Sequence, residues 1–189
     1  MKFLTKNPNS DIHTEGLTYL RNANNTALRN RLLSEQKNFC AYTEKYVQDL
    51  DSVEVEHFNA SLKYNDNYFN YYAVLRRPNL YKKDEAFRNH PFFNTLFFQD
   101  EAQFQNRIQY KDGIYYETDE NDTEARDFIE FLGFNHPSLT NQRLKHLNRL
   151  KSVFQYFDND ERLVYLTTHK EELSYITALE AEFNLNFPL

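Results

Sequence analysis

The spacing of hydrophobic positions changes several times along the chain. Between residues 15 and 37, Leu17, Leu20, Leu28, Leu32 and Leu33 recur at a rough helical period that the Asn-rich stretch "NANN" interrupts, which predicts one or two helices. "FCAYTEKYV" (39–47) reads as a short β element. The period then drops to two. In "SVEVEHF", Val53, Val55 and His57 fall on one face and Glu54, Glu56 and Phe58 on the other, the signature of a strand. "NASLKYNDNY" is a loop by composition and "NYYAVLRR" is β-prone. Pro78 suits the first turn of a helix, where its missing N–H costs nothing, so Asn79 is expected in the first turn of a helix running toward Arg88. The order is β, loop, β, α.

Further on, "QNRIQY" and "IYYET" flank "KDG", and Asp112-Gly113 supplies the positive φ angles of a tight hairpin turn. Asp122 is a good N-cap for "EARDFIEFL", with Gly133 as its stop. A longer helix follows Ser138, with Leu139, Leu144, Leu147, Leu150, Val153, Phe154 and Phe157 on its apolar side, and a last one covers about 169–183. No internal repeat, low-complexity tract or linker rich in Pro, Gly or Ser divides the sequence, so residues 1–189 are expected to form a single domain. With 17 Phe and 14 Tyr but only 3 Gly, the composition favours helices over a turn-rich sandwich or barrel. The expected class is α+β, predominantly helical.

No apolar run approaches the roughly 20 residues of a membrane span, and the N-terminus lacks the apolar region of a signal peptide. The expectation is a cytoplasmic protein with no membrane partner. The single Cys40 can form neither an internal disulfide nor a Cys-rich zinc cluster. The formal charge of −6 would not draw the molecule as a whole to nucleic acid. Charge is segregated, however. Between Asn70 and His90, Arg76, Arg77, Lys82, Lys83 and Arg88 stand against only Asp84 and Glu85, while 117–130 is acidic.

The chemistry-bearing residues lie in this basic neighbourhood. Glu56-His57 is followed by Asn70 thirteen residues after the His, Asn79 nine residues further, and Lys82 three beyond that. This spacing resembles that of HNH nucleases, whose site is a ββα-metal element, here at about 38–90. The resemblance implies an HNH core embedded among helices, with the hairpin and helical part at about 104–189. It implies His57 as general base, Glu56 and Asn79 as metal ligands, and Asn70 as the brace of the loop that holds the base. Hydrolysing a phosphodiester needs a deprotonated water, which a neutral imidazole can generate, and a hard cation where charge builds. Carboxylate and amide oxygens suit one Mg²⁺ or Mn²⁺. Arg76, Arg77, Lys82 and Lys83 are either solvated residues or phosphate contacts, and Tyr68, Phe69, Tyr71 and Tyr72 either core or base-stacking groups.

Many members of that family carry a structural zinc on two Cys-x-x-Cys pairs. Here the corresponding positions read "CAYT" (40–43) and "LRRP" (75–78), with Cys40 alone retained, so no structural zinc is expected and apolar packing around Cys40, Tyr42, Leu75 and Pro78 takes over its role. The run "FQNRIQYKDGIYYE…ARDFIEFLGFNHPSLTNQR" further resembles a bacterial HNH group that includes the nuclease subunit of Septu-type anti-phage systems, with Asn135, Leu139 and Arg143 keeping the order seen there. That resemblance implies a DNA endonuclease, the effector of a defence or restriction system, working beside an ATPase partner. The alternative is a catalytically inactive HNH-like subunit that binds DNA or a protein partner.

Overall fold

The computed structural model describes residues 1–63 and 65–187; Tyr64, inside the loop expected at 59–68, and residues 188–189 lie outside the described residues. The elements are, in chain order, α1 (Asp11–Thr14), α2 (Thr26–Glu35), β1 (Val53–His57), β2 (Tyr71–Leu75), α3 (Arg76–Asn79), α4 (Phe92–Thr95), α5 (Glu101–Arg107), β3 (Ile108–Lys111), β4 (Ile114–Glu117), α6 (Thr123–Phe131), α7 (Pro137–Val153), α8 (Asn159–Thr168) and α9 (Ile176–Phe183). The class is mixed α+β: two antiparallel two-stranded sheets, β1-β2 and β3-β4, set among helices. No helix among the described residues is long and apolar enough to cross a membrane.

The period-two stretch forms β1 because its two faces meet different surroundings. Val53 and Val55 pack on a cluster of Ile12, Leu28, Leu32, Tyr68, Tyr71 and Ala73. Glu54 and Glu56 face the amide of Asn79 instead. The register runs from Val53 opposite Leu75 to His57 opposite Tyr71, so the strand ends at His57. Phe58, the next residue, is 3% exposed and enters an aromatic cluster with ring centroids 4.5 Å from Phe98 and 5.3 Å from Phe131. Burying such a ring is worth about 2–3 kcal/mol and pins the end of β1 to the core.

The outer edge of β2 is closed by a side chain. Gln36, 6% exposed, donates from Nε2 to the carbonyls of Phe39 and Ala73 (2.8 Å each) and accepts the Ala73 N–H at 2.9 Å. The 39–47 segment is a turn closed by a single Phe39–Tyr46 bridge. Cys40 Sγ accepts the Leu75 N–H at 3.3 Å, which brings "CAYT" and "LRRP" into contact. Cys40, Tyr42 and Leu75 are core residues and Pro78 is buried. Glu44, fully buried, holds the turn to α9 by accepting the Thr177 N–H (2.7 Å) and hydroxyl (3.0 Å).

Several boundaries differ from the sequence pattern. Of 15–37, only Thr26–Glu35 is helical, the short α1 lying before that stretch. α3 is four residues long, with Asn79 its last position, and residues 80–90 form turns instead of continuing toward Arg88. Pro78 sits at its third position. The apolar stripe after Ser138 is interrupted after Val153 by a 3-10 turn, and α8 follows. A capping box of Asp158 and Glu161 starts α8, a D-x-x-E signal visible in the sequence. Of 169–183, the α-helical part is Ile176–Phe183.

Candidate active site

Three neighbouring elements build the site: the end of β1, the loop before β2, and α3. His57 leaves β1 with its ring edge-on to Tyr19 (4.7 Å between centroids) and Tyr71 (5.4 Å). Its Nδ1 lies 2.7 Å from Oδ2 of Asp66, whose side chain is 1% exposed. A carboxylate accepts only, so this contact sets the tautomer with the proton on Nδ1 and leaves Nε2 as the basic nitrogen. The same Oδ2 accepts from Asn70 Nδ2 at 2.6 Å, and Oδ1 accepts from the Tyr71 hydroxyl at 3.1 Å.

Asn70 closes the loop on itself. Its Oδ1 accepts the Asn59 N–H (2.7 Å) and its Nδ2 donates to the Asn59 carbonyl (3.1 Å), while its own carbonyl accepts the Phe58 N–H (2.9 Å). At 8% exposure these bonds are shielded from water, and Asn70 fixes the backbone on both sides of Phe58 relative to β2.

On the α3 side, Asn79 Nδ2 donates to Glu56 Oε2 at 2.8 Å and lies 3.4 Å from Glu54 Oε2. Its Oδ1 is buried and has no hydrogen-bond partner among the described residues. The amide nitrogen faces the two carboxylates; an amide flip would turn the oxygen toward them instead, and that oxygen with Glu54 and Glu56 would be a donor set suited to a hard divalent ion. No group of three or more His, Cys, Asp or Glu side chains able to hold a metal occurs among the described residues. Glu56 and Asn79, with Glu54 alongside, would therefore hold an ion that keeps most of its waters. His57, Glu54, Glu56 and Asn79 all line one open groove of about 520 Å³.

The basic residues are arranged differently from the sequence expectation. Lys82 is not a surface phosphate contact: its side chain is 1% exposed, and its ammonium is bonded to Glu56, to Asp84 (2.7 Å) and to the His57 carbonyl (2.8 Å). It follows the short α3 in a turn that folds back under β1. Lys83 is exposed and paired with Glu130 at 2.8 Å. Arg76 and Arg77 are exposed but line another cavity, with Arg76 3.4 Å from Glu54. The cations that line the His57 groove are Arg29 and Lys63, which lie outside the motif. Asp66 and Glu54 likewise lie outside the motif. Glu54 carries a signal, being two residues before Glu56 on the same strand face, whereas Asp66 sits in an Asn-rich loop with no periodicity to mark it.

No protein-family model, curated protein or solved structure matches this chain. The functional reading therefore rests on the site itself and on the spacing of its residues.

Proposed function

We propose that this chain is a metal-dependent endonuclease of the HNH type that hydrolyses DNA phosphodiester bonds. The observation that carries the reading is the groove itself, where an imidazole oriented by a buried carboxylate shares one open space with Glu54, Glu56 and the Asn79 amide. In this reading His57 takes a proton from water at Nε2, Asp66 stabilises the imidazolium that results, and Asn70 keeps both in register. Glu56 and Asn79 hold one Mg²⁺ or Mn²⁺, which supplies positive charge for the phosphate and the leaving oxygen. Arg29 and Lys63 guide the phosphate backbone into the groove. Action in the cytoplasm, as the effector of a bacterial anti-phage defence or restriction system beside an ATPase partner, belongs to the same proposal and rests on the sequence resemblance.

The test is cleavage of supercoiled plasmid with Mg²⁺, Mn²⁺ or EDTA by the wild type, His57→Ala and Asn79→Ala. Ion-dependent cutting that falls roughly a hundredfold or more in folded His57→Ala supports the reading. Cutting in EDTA refutes it, as does no cutting together with no calorimetric divalent-ion binding that depends on Asn79.

Two observations favour a second reading, an inactive HNH-like subunit that binds DNA or a protein partner. The Glu56 charge is already met by Lys82, and the His57 ring is only 6% exposed. This reading expects DNA or partner binding that survives in Asn79→Ala, and no divalent-ion site.

A further inference from the structure

Every residue of β1, from Val53 to His57, lines the groove of about 520 Å³. The register of the hairpin shows which backbone groups face away from β2. The Arg76 N–H donates to the Ser52 carbonyl and the Phe58 N–H to the Asn70 carbonyl, each at 2.9 Å, so the ladder bonds of this strand fall on residues 52, 54, 56 and 58. The N–H and C=O groups of Val53, Val55 and His57 therefore point to the outer edge.

The two margins of the hairpin differ. Along β2, the Tyr71 carbonyl accepts from Lys6, both backbone groups of Ala73 are bonded to Gln36, and the Leu75 N–H is bonded to Cys40 Sγ. Along β1, Lys82 bonds the His57 carbonyl at 2.8 Å and closes that end. The outward N–H and C=O groups of Val53 and Val55 have no hydrogen bond among the described residues. Two donors and two acceptors thus lie open in strand geometry. An extended peptide matches both kinds, whereas a phosphate chain, being an acceptor alone, matches only the N–H groups.

Side chains decide which peptide fits. A strand added to this edge alternates between two faces. One face adjoins Val53 and Val55, which pack with Tyr19 on the apolar cluster under α2, and so favours apolar residues. The other adjoins Glu54 and Glu56. Glu56 is met by Lys82, but Glu54 is exposed and among the described residues has only Arg76, at 3.4 Å, as an ion-pair partner. A basic residue belongs opposite it. Arg29 and Lys63 also line the groove, which disfavours a segment that is basic on both faces. A second copy of this chain fits badly, because β1 paired antiparallel with itself about Val55 sets Glu54 against Glu56 twice, like charges directly opposite.

We infer that the open edge of β1 takes up an extended segment of another protein, with apolar and basic residues in alternation, as a third strand. Binding does not depend on the nuclease reading. That a docked segment shuts DNA out of the groove rests on it.

The experiment is titration calorimetry of the full chain in EDTA with the peptide acetyl-VKVKV-amide, together with amide hydrogen exchange. Saturable one-to-one binding in roughly the high micromolar to millimolar range is expected for so short and flexible a peptide, with exchange slowed at Val53 and Val55. N-methylation of the peptide's valines, whose N–H groups face β1, should weaken binding roughly tenfold or more, while N-methylation of its lysines, whose N–H groups face away, should not. Acetyl-VEVEV-amide should bind several-fold more weakly, at roughly the level a lost cross-strand charge pair implies. Val55→Pro removes one outward N–H and leaves the ladder bonds of Glu54 and Glu56 in place, so it should also weaken binding roughly tenfold. The methylated peptides test the same bonds on the wild type should that variant fail to fold. No saturable binding at millimolar concentration overturns the inference, and so does binding that methylation of the valines leaves unchanged. Dimerisation that protects the Val53 and Val55 amides without peptide also overturns it, assigning the edge to a second copy.

Discussion

In the proposed nuclease site Asp66 joins His57, Asn70 and Tyr71, and two substitutions separate its charge from its volume. In Asp66→Asn the amide oxygen has to remain at the Oδ2 position, because His57 Nδ1 and Asn70 Nδ2 both donate there, at 2.7 and 2.6 Å. The tautomer is thereby kept and only the negative charge is lost. A hydrogen bond to a charged group contributes about 1.5–3 kcal/mol against 0.5–1.5 for a neutral one, so the imidazolium loses about 1–2 kcal/mol and, on the nuclease proposal, plasmid cleavage should slow roughly 5- to 30-fold. Asp66→Ala instead removes the acceptor of His57 Nδ1, while Asn70 Nδ2 keeps the Asn59 carbonyl at 3.1 Å and the Tyr71 hydroxyl keeps the Asp66 carbonyl at 3.2 Å. One buried donor deprived of its acceptor predicts a loss of about 1–3 kcal/mol of folding stability. Guanidinium unfolding and cleavage rates measured on the same preparations provide the assay. Wild-type cutting by Asp66→Asn would refute the role given to the charge, and an Asp66→Ala protein within about 0.5 kcal/mol of wild type would refute the buried network itself.

Other perturbations test separate parts of the structure. Lys82→Met leaves the Glu56 carboxylate without its buried cation, so stability should fall by about 3 kcal/mol and Mg²⁺ should restore part of it, read by denaturant unfolding with and without the ion. Gly133→Ala places a Cβ 2.7 Å from the Tyr81 carbonyl at a φ of +62°, and should cost about 2 kcal/mol or more in the same assay. Burial pulls the Lys6 ammonium from 10.5 down to about 7, with Glu35 opposing. Because the folded pKa is the lower one, the unfolded chain binds the extra proton between pH 7 and 10.5, so this group's contribution to stability rises with pH across that window. Relative to Lys6→Met, the wild type should gain up to about 5 kcal/mol from one end of the window to the other, measured by chemical denaturation at both.

Local patterns were legible in the sequence where they reflect one dominant cause. The alternation over 53–58 marked β1 because valines and carboxylates face different surroundings, and Asp112-Gly113 marked the β3-β4 turn because both adopt positive φ. Asp122 caps α6, and Gly133 ends it through paired bonds from Gly133 N to Glu130 and from Phe134 N to Ile129. What stayed hidden depends on contacts distant in sequence. Lys82 reads as one more surface lysine until the turn after α3 carries it under Glu56. Asp66 reads as a loop residue until the loop folds onto His57. The expected helix through Arg88 failed because α3 ends after Asn79, and nothing in the composition of 80–90 marks that stop. Of the residues that the spacing picks out, the fold brings His57, Glu56, Asn70 and Asn79 to one hairpin and its following turn, but the spacing carries no information on which cations face the groove.

The Gln36 amide has a consequence for how the molecule behaves in a crowd. A two-stranded sheet ordinarily offers unpaired N–H and C=O groups at its margins, where another chain can dock and begin a growing assembly. At Ala73, midway along β2, both backbone groups are already engaged by the Gln36 side chain, and Ala41 donates to the same carbonyl at 3.1 Å. The side chain imitates a third strand for one residue and goes no further. It thereby acts as a guard against self-association through β2, and it leaves the hairpin that carries His57 rigid without exposing that margin to recruitment by a stray strand.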